Sequence, residues 1–486
     1  MAKSDSVDVG CKELEGFGRF VRRQMRIWNV PGVAVGIVRG GKTIYANGFG
    51  WRHIGRRLPV TAGTMFAIGS CTKAFTATAL GILVDEGRLD WDVPIRKYVP
   101  SFKLHDRAAT RMATVRDLLC HRTGLPRHDM LWEGTPFDRD ELFRRLRYLP
   151  FSETFRSKYQ YCNLMYMAAG VVLERLAGCS WERFVQERIC EPLGMCDVNF
   201  TADAMAGCEN YALGYDRRGQ RVVHVPHEYI APVGPAGSMN SHVVEMLKWV
   251  VFQMASGRRG ARKIVSGQRL QEIHSPQVVF EESPRYEELL DPSYAMGWSV
   301  QPYRGRRRLT HSGCMDGFNA NVSFLPAERI GVVVLTNVTS SPLTRVIPYN
   351  VFDRLLGLDE LPWNRRFKKQ ADKASAGKKR GRSHAGGRRL PRSIKRYAGV
   401  YRHPGYGRLT IAVEGGKLKA TLNDMTRVLE HIDGDGFEMV SRGTWRWRKK
   451  VAFNLGKDGR ITSLSAALQQ GAIDIVFKRT SDDKKQ

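Results

Sequence analysis

Residues 70–84 read Ser-Cys-Thr-Lys-Ala-Phe-Thr-Ala-Thr-Ala-Leu-Gly-Ile-Leu-Val, a polar start followed by an apolar run. A strand-like stretch, 64–68, and Gly69 come directly before it, so the pattern predicts a buried helix whose first turn faces a cleft. Residues three apart share a helix face, which brings the Lys73 amine within reach of the Ser70 hydroxyl. Serine needs such a base to act as a nucleophile. The alternative is a helix-capping serine beside a solvated lysine.

Two further motifs place polar side chains beside apolar elements. Residues 161–163, Tyr-Cys-Asn, precede an apolar helical run over 164–176. Residues 311–313, His-Ser-Gly, lie between the strand-like runs 308–310 and 318–325. A glycine in the third motif allows another backbone, such as that of a substrate, to approach the strand edge.

Together the three motifs resemble the signature of the serine β-lactamase and penicillin-binding-protein superfamily. The Tyr-x-Asn form and the gaps of roughly 90 and 150 residues between the motifs are similar to the class C branch, which also holds family VIII esterases and D-stereospecific aminopeptidases. Residues 114–121, 123–126 and 191–195 agree, although Thr123 stands where relatives more often have serine. The resemblance covers about residues 12–357.

The resemblance implies hydrolysis or acyl transfer through an acyl-enzyme. Ser70 would be the nucleophile, and Lys73 and Tyr161 would share the general acid and base roles. Which of the two is the main base stays open, because both pKa values depend on burial and neighbouring charge. The remaining implied site residues are Asn163, His311, Ser312 and Gly313 for substrate binding, with the backbone amides of Ser70 and Cys314 as the oxyanion hole.

The third motif departs from the family pattern at His311, where β-lactamases and transpeptidases usually have lysine. That lysine helps to bind the substrate carboxylate, whereas a histidine with an ordinary pKa of about 6.5 is mostly neutral at pH 7. Peptide or ester cleavage is therefore favoured, and β-lactamase or penicillin-binding carboxypeptidase activity is the alternative. A strand histidine bonded only to its neighbours is the structural alternative.

Pattern and resemblance predict an α/β (α+β) fold, with one antiparallel sheet, a helical lobe inserted into it, and the site between the two. A helix over 343–356 would cover the sheet. The predicted strands are 33–38, 43–49, 294–300, 308–310, 318–325 and 330–337.

Composition excludes several other classes of protein. The chain has 486 residues, of which 42% are hydrophobic, so it can bury a large core and is expected to hold more than one domain. No apolar run is long enough for a membrane span, and the first ten residues lack the apolar centre of a secretory signal. This predicts a cytoplasmic protein, with the periplasm or secretion less favoured. Nine cysteines without metal-like spacing predict no metal and no cofactor.

The formal net charge of +29 is concentrated in one segment, because residues 365–396 alone carry +13. With its glycines and few apolar residues this segment predicts a flexible, self-repelling linker. The alternative is weak electrostatic binding of a polyanion. A non-catalytic binding or sensor protein that works through this linker is the competing functional class.

Beyond the linker the apolar residues alternate, which is typical of β-strands. Eight short runs between 397 and 477 predict a small antiparallel barrel. It resembles the lipocalin-like domain of some peptidase-like relatives, where that domain can cover the active-site mouth or mediate assembly into homo-oligomers. The predicted domains are therefore a serine hydrolase domain over 1–361, a basic linker over 362–396 and a barrel over 397–486.

Overall fold

The computed structural model describes residues 6–227, 230–280, 286–380, 390–444, 446–469 and 471–480, with backbone alone for 374–380. A large antiparallel sheet forms the centre of the first part of the chain. Its strands are β1 (Val7–Asp8), β2 (Gly32–Arg39), β3 (Lys42–His53), β4 (Val278–Val279), β5 (Ser293–Tyr294), β6 (Ser299–Val300), β7 (Leu309–Met315), β8 (Phe318–Leu325) and β9 (Ile330–Thr336).

The spatial order of the strands is β1-β3-β2-β9-β8-β7-β6-β5-β4, with a short strand, Leu58–Pro59, added to β3. Strands from the two ends of this region meet in the middle, where Val35 of β2 lies opposite Val334 of β9. Every residue of β9 is buried, as expected for a strand that is covered on both faces. The helical lobe is formed by the chain between β3 and β4.

Six longer helices surround the sheet: α1 (Phe17–Trp28), α2 (Thr72–Asp85), α3 (Asn163–Ala177), α4 (Val243–Met254), α5 (Leu343–Leu355) and α6 (Trp363–Arg380). Helices α1 and α5 cover one face, in a core with Val332 and Val334, and α4 covers the other. Shorter α-helices are Arg107–Met112, Val115–Leu119, Arg139–Arg145, Trp181–Val185, Glu191–Leu193, Ala202–Ala206, Gly234–Gly237 and Gly267–His274. Within the described residues, none of the helices combines the length and apolar character that crossing a bilayer requires.

This architecture confirms the predicted antiparallel sheet with a helical lobe and a closing helix. Two predicted strands differ. The predicted strand 308–310 is too short, because the pairing of β7 with β8 continues to Met315, so His311, Ser312 and Gly313 lie within the strand and not between two strands.

The predicted strand 294–300 is broken into β5 and β6. Gly297, at φ +80°, turns the chain between them, and a Cβ on it would lie only 2.9 Å from the carbonyl oxygen of Lys73. The turn is therefore pressed against the start of α2, where a continuous strand would collide.

The C-terminal region confirms the predicted eight-stranded barrel, and the barrel is closed. Alternate residues of its strands point inward, as Leu418, Ala420 and Leu422 do. Its strands are β10 (Gly399–His403), β11 (Gly407–Glu414), β12 (Lys417–Leu422), β13 (Met425–Asp433), β14 (Gly436–Ser441), β15 (Trp447–Leu455), β16 (Ile461–Ala466) and β17 (Ile475–Arg479).

The basic segment differs from the predicted flexible linker, because its first half is helix α6. Trp363 and Phe367, four residues apart, are 2% and 4% exposed and join the core beside α5. A four-residue spacing puts both side chains on one face, so the segment does have an apolar face to bury. Residues 381–389 of the predicted linker lie outside the described residues.

Candidate active site

Ser70 lies in a single 3-10 turn, Gly69–Cys71, and α2 begins at Thr72, two residues later than the sequence pattern predicts. The turn touches strand β7 through backbone atoms. A Cβ on Gly313 would lie 1.8 Å from the carbonyl oxygen of Ile68 and 3.0 Å from the amide nitrogen of Ser70. Only glycine fits there. The backbone that approaches Gly313 is thus that of the Ser70 turn, and Gly313 does not line the cavity.

Lys73 lies one turn further along α2 and is completely buried. Its Nζ lies 3.0 Å from Ser70 Oγ, 2.8 Å from Asn163 Oδ1 and 2.7 Å from the carbonyl oxygen of Ala236. Burial, with a smaller contribution from the Arg127 cation, lowers the pKa of Lys73 well below its ordinary value. A neutral amine has two N–H donors, and the oxygens of Asn163 and Ala236 accept them. Its lone pair then faces the Ser70 hydroxyl.

Tyr161 completes a chain of three polar groups around Ser70. Its hydroxyl lies 2.7 Å from Ser70 Oγ, and burial raises the pKa of the Tyr161 phenol above its ordinary value. Tyr161 therefore keeps its proton, and the ring also lies 4.8 Å from the Lys73 Nζ. The hydroxyl of Ser70 sits between a proton donor and a proton acceptor.

Asn163 is the first residue of α3, and its two ends have different partners. Oδ1 accepts from Lys73, and Nδ2 lies 3.4 Å from Asp129 Oδ1. Asp129 also pairs with Arg127, whose guanidinium lies 4.9 Å from the centre of the Tyr161 ring. Sequence reasoning missed this ion pair, although two charges directly after the 123–126 turn of the family pattern were a usable signal.

His311 is 5% exposed, and both ring nitrogens have partners. Nε2 lies 2.9 Å from the hydroxyl of Tyr294, and Nδ1 lies 2.8 Å from the carbonyl oxygen of Ser312. Burial, and after it the Lys73 charge, lowers the pKa of His311 to about 3. The imidazole is therefore neutral at pH 7, and it lines the cavity together with Ser312.

The two predicted oxyanion-hole amides lie where the Ser70 turn meets β7. The amide nitrogen of Cys314 is 3.1 Å from the position that a Cβ on Gly69 would take, and Gly69 has φ +52°. A side chain at Gly69 would thus be both strained and crowded against that amide. The narrow contact places the amide of Cys314 beside Gly69, the residue before Ser70, and the role of both amides in catalysis stays a prediction.

A cavity of about 730 Å³ opens over Ser70. Tyr161, Asn163, His311 and Ser312 contribute to its walls, whereas Lys73 lies beneath them. Four residues of the barrel also line this cavity, namely Trp447, Lys449, Leu468 and Gln469. The C-terminal region therefore lines the cavity, in agreement with the resemblance to relatives in which such a domain can cover the active-site mouth.

The loop 127–134 holds the barrel at the cavity. The side-chain amide of Asn423 donates to three carbonyl oxygens of this loop, those of Met130, Leu131 and Glu133, at 3.1–3.3 Å. The amide of His128 donates to Gln469 Oε1 at 2.7 Å. Burial and the Asp129 charge raise the pKa of Glu133, which also lines the cavity, to about 7.

One group of metal-ligating side chains occurs in the part of the chain that the structure describes, formed by Asp197, His242 and Glu245. None of the three lines the cavity over Ser70. The ammonium of Lys248 lies 2.9 Å from Glu245 and already supplies the positive charge there. One oxygen of the Glu245 carboxylate is thus paired with a cation of the chain itself.

Comparisons with known proteins cover both regions of the chain. The Beta-lactamase family model matches residues 17–356, and a domain of unknown function (DUF3471) matches residues 386–479. The unguisins hydrolase ungD' of Aspergillus campestris (strain IBT 28561) is 30% identical over 434 residues, covering 84% of this chain and 79% of that protein. Protein flp of Staphylococcus aureus (strain NCTC 8325 / PS 47) is 22% identical, covering 68% of this chain and 64% of that protein.

Solved structures are similar in fold. The octameric penicillin-binding protein homologue from Pyrococcus abyssi has a TM-score of 0.64 at 23% identity, covering 96% of this chain and all of that chain. The D-amino acid amidase from Ochrobactrum anthropi SV3 has a TM-score of 0.57 at 22% identity, covering 71% of this chain and 97% of that chain. These findings confirm the resemblance that the three motifs carry: the chain belongs to the Beta-lactamase family.

Proposed function

We propose that the protein is a serine hydrolase that cleaves amide or ester bonds in peptide-like substrates through an acyl-enzyme on Ser70. The observation that carries the proposal is the hydrogen-bonded series Tyr161 hydroxyl, Ser70 Oγ and Lys73 Nζ, with spacings of 2.7 and 3.0 Å. The opposite pKa shifts of Lys73 and Tyr161 support Lys73 as the base and Tyr161 as the proton donor.

In the first step Ser70 Oγ attacks the substrate carbonyl carbon, and the hydroxyl proton passes to the Lys73 amine. The backbone amides of Ser70 and Cys314 would hold the negative oxygen that forms, an interaction of about 2.7–4 kcal/mol per donor in comparable sites. The bond to the leaving nitrogen or oxygen then breaks, Tyr161 donates its hydroxyl proton to the leaving atom, and the proton held by Lys73 passes to the Tyr161 oxygen. Water attacks the acyl-enzyme in the reverse sequence and releases the acid.

Because His311 in the third motif is neutral, simple amides and esters are better supported as substrates than molecules that need a carboxylate bound beside the scissile bond. His311, with its pKa lowered to about 3, offers no cation at that place. The relative named unguisins hydrolase also supports a hydrolase. β-Lactamase or penicillin-binding carboxypeptidase activity is the alternative that the experiment below separates.

The test compares turnover of p-nitrophenyl butyrate, D- and L-alanine amides and a chromogenic cephalosporin by the full chain, with Ser70→Ala as the control. We expect turnover of esters or amides to exceed that of the cephalosporin, and mass spectrometry to place a fluorophosphonate adduct on Ser70. Faster cephalosporin turnover would favour the alternative. Absence of any Ser70-dependent turnover would favour the non-catalytic binding protein.

Two further parts of the proposal concern the rest of the chain. We keep the division into a hydrolase domain over 1–361 and a barrel over 397–486, with 362–396 between them. Polyanion binding through 365–396 is measured with heparin at rising salt concentration, and a shallow salt dependence would reject it. The Pyrococcus abyssi homologue is described as octameric, so light scattering on the full chain tests for homo-oligomers.

A further inference from the structure

A second cavity, of about 760 Å³, adjoins the one over Ser70. Tyr159, Ser299 and Ser312 line both cavities, so the two cavities adjoin at these residues, beside strand β7. Helix α6 closes the far side through Phe367 and Gln370. The basic segment thus forms a wall of a space that adjoins the catalytic cleft.

The walls of this cavity are aromatic and basic. Among the described residues that line it, three are basic and none is acidic. Five aromatic rings line it as well, those of Tyr159, Phe280, Tyr286, Tyr349 and Phe367. Flat apolar walls with a few placed polar groups are typical of a small-molecule or peptide-side-chain site.

Arg308 is the most informative residue in this wall, because it is 3% exposed. Its guanidinium contacts the side-chain and backbone oxygens of Gln301 and lies 4.9 Å from the centre of the Tyr349 ring. Within the described residues no carboxylate forms an ion pair with it. A buried guanidinium without a counter-charge is costly, and a carboxylate entering the cavity would supply that charge in a bidentate pair.

Asn321 supplies a second unsatisfied group in the same cavity. It is 5% exposed, and its Nδ2 donates to Thr310 Oγ1 at 3.1 Å, but its Oδ1 has no hydrogen-bond partner among the described residues. An oxygen in that state accepts an N–H group readily. Asn321 lies opposite Ser312 in the register of β7 and β8, close to the junction of the two cavities.

The spacing of these groups matches a short peptide. Arg308 is four residues from Ser312, which corresponds to roughly 13 Å along a strand. An extended dipeptide spans roughly 7 Å, and the long arginine side chain can cover the remaining distance. The peptide N–H would reach Asn321, an aromatic side chain would contact the ring walls, and the terminal carboxylate would reach Arg308.

We therefore propose that the second cavity binds the leaving part of the substrate, a segment of about two residues that ends in an aromatic residue with a free carboxylate. This inference rests on the proposed function, and it names the substrate class: short peptides cleaved two residues from an aromatic C-terminus. Arg308 binds this carboxylate at a distance from the scissile bond. His311, which lies beside that bond, is neutral and provides no charge for a carboxylate.

The kinetic test uses alanyl-glycyl-phenylalanine, with D- or L-alanine, as the free acid and as the C-terminal amide. Serine attack would break the bond between the alanyl carbonyl and the glycyl nitrogen, which leaves with a proton as glycyl-phenylalanine. We expect the unaltered chain to cleave the free acid with kcat/KM about tenfold or more above the amide. This comparison requires no variant, so a misfolded variant cannot obscure it.

Arg308→Met, of similar length and without charge, should bring the two peptides to equal kcat/KM. Arg306→Gln is the matched control, since Arg306 lies outside both cavities and pairs with Glu328. It should preserve the preference for the free acid. Equal cleavage of acid and amide by the unaltered chain would overturn the assignment, as would a preference that persists in Arg308→Met.

Binding separates this proposal from the proposed function. N-acetyl-glycyl-phenylalanine and its amide are titrated into full-length Ser70→Ala by calorimetry, and we expect the acid to bind about tenfold more tightly. If that difference appears and no substrate is turned over, the cavity assignment stands and the hydrolase proposal fails. If esters are hydrolysed but acid and amide bind equally, the hydrolase stands and the cavity assignment fails.

Discussion

The hydroxyl of Tyr294 lies 2.9 Å from Nε2 of His311, and the partner of the other ring nitrogen determines the direction of this hydrogen bond. The other nitrogen, Nδ1, lies 2.8 Å from the carbonyl oxygen of Ser312, which can only accept. Nδ1 therefore donates to Ser312, and Nε2 accepts from Tyr294. The third motif presents a neutral ring, and both of its nitrogens have hydrogen-bond partners. This explains how the strand accommodates a histidine at the position where β-lactamases and transpeptidases usually have lysine.

Replacing His311 by lysine should restore a cation beside Ser70. We expect His311→Lys to raise kcat/KM for the cephalosporin, relative to p-nitrophenyl butyrate, by about tenfold, because a charged donor binds a carboxylate more strongly than a neutral one. His311→Gln is the neutral control and should leave the ratio unchanged. An unchanged ratio in His311→Lys would mean that residue 311 does not set the preference.

Lys73→Ala and Tyr161→Phe should each lower kcat by about 100-fold or more, since each removes a proton-transfer group from Ser70. The pH profile tests their roles. Activity requires the neutral amine, so it should rise with pH and reach its plateau well below the ordinary pKa of lysine. The raised pKa of Tyr161 should keep that plateau level beyond pH 10. An acid limb centred near pH 10 would contradict Lys73 as the neutral base.

The lowered pKa of Lys73 also predicts how the stability of the protein depends on pH. Between its lowered folded pKa and about 10.4, Lys73 is neutral in the fold and protonated in the unfolded chain. The unfolded state then binds one more proton, so stability rises with pH. Relative to Lys73→Met, the unaltered chain should gain roughly 1.4 kcal/mol in unfolding free energy per pH unit in this window. Urea unfolding at pH 7, 8 and 9 measures the difference, and parallel curves would show that Lys73 is charged in the fold.

The spacing of apolar residues predicted those helices and strands in which one face, or every second residue, is buried. Helices α2 and α3, strands β8 and β9 and all eight barrel strands follow from runs of alternating or helical spacing, and β7 extends from its predicted start through the third motif to Met315. The three motifs meet at Ser70. The third partner of Lys73, the carbonyl of Ala236, could not be predicted in this way. It lies in a short helix of the inserted lobe, and a backbone oxygen leaves no signal in the residue types.

Helix α6 was missed because its charges were more prominent than its two aromatic residues. Trp363 and Phe367 are the signal that was present, a four-residue spacing within a basic run. The resemblance implied that the barrel can cover the active-site mouth, but the residues that make this contact could not be predicted. Trp447 and Lys449 line the cavity because contacts such as those of Asn423 with the loop 127–134 dock the two regions together. The hydrolase domain and the barrel each have their own regular spacing of apolar residues, and a contact between the two regions leaves no mark on either spacing.

The burial of α6 predicts that the basic segment stabilises the hydrolase domain. Trp363 contacts the Tyr349 ring at 4.7 Å between centroids, and its Nε1 donates to the hydroxyl of Tyr303 at 3.1 Å. Trp363→Ala should therefore lower the unfolding free energy by about 3–5 kcal/mol. Arg365→Ala, an exposed position on the same helix, should change it by less than about 0.5 kcal/mol. Equal, small effects in both would support the flexible linker that the charge pattern predicts.

The barrel should select substrates by size, because Trp447 narrows the mouth of the cavity over Ser70. Trp447→Ala should raise kcat/KM for a bulky ester, such as p-nitrophenyl decanoate, relative to p-nitrophenyl acetate by about tenfold, since a wider mouth admits a longer acyl chain. Trp51→Ala is the control, because Trp51 is 42% exposed and outside the cavity. Asn423→Ala should shift the ratio in the same direction by loosening the barrel from the loop 127–134, whose carbonyl oxygens lose their shared donor. If neither Trp447→Ala nor Asn423→Ala moves the ratio, the barrel lies beside the site without selecting what enters it.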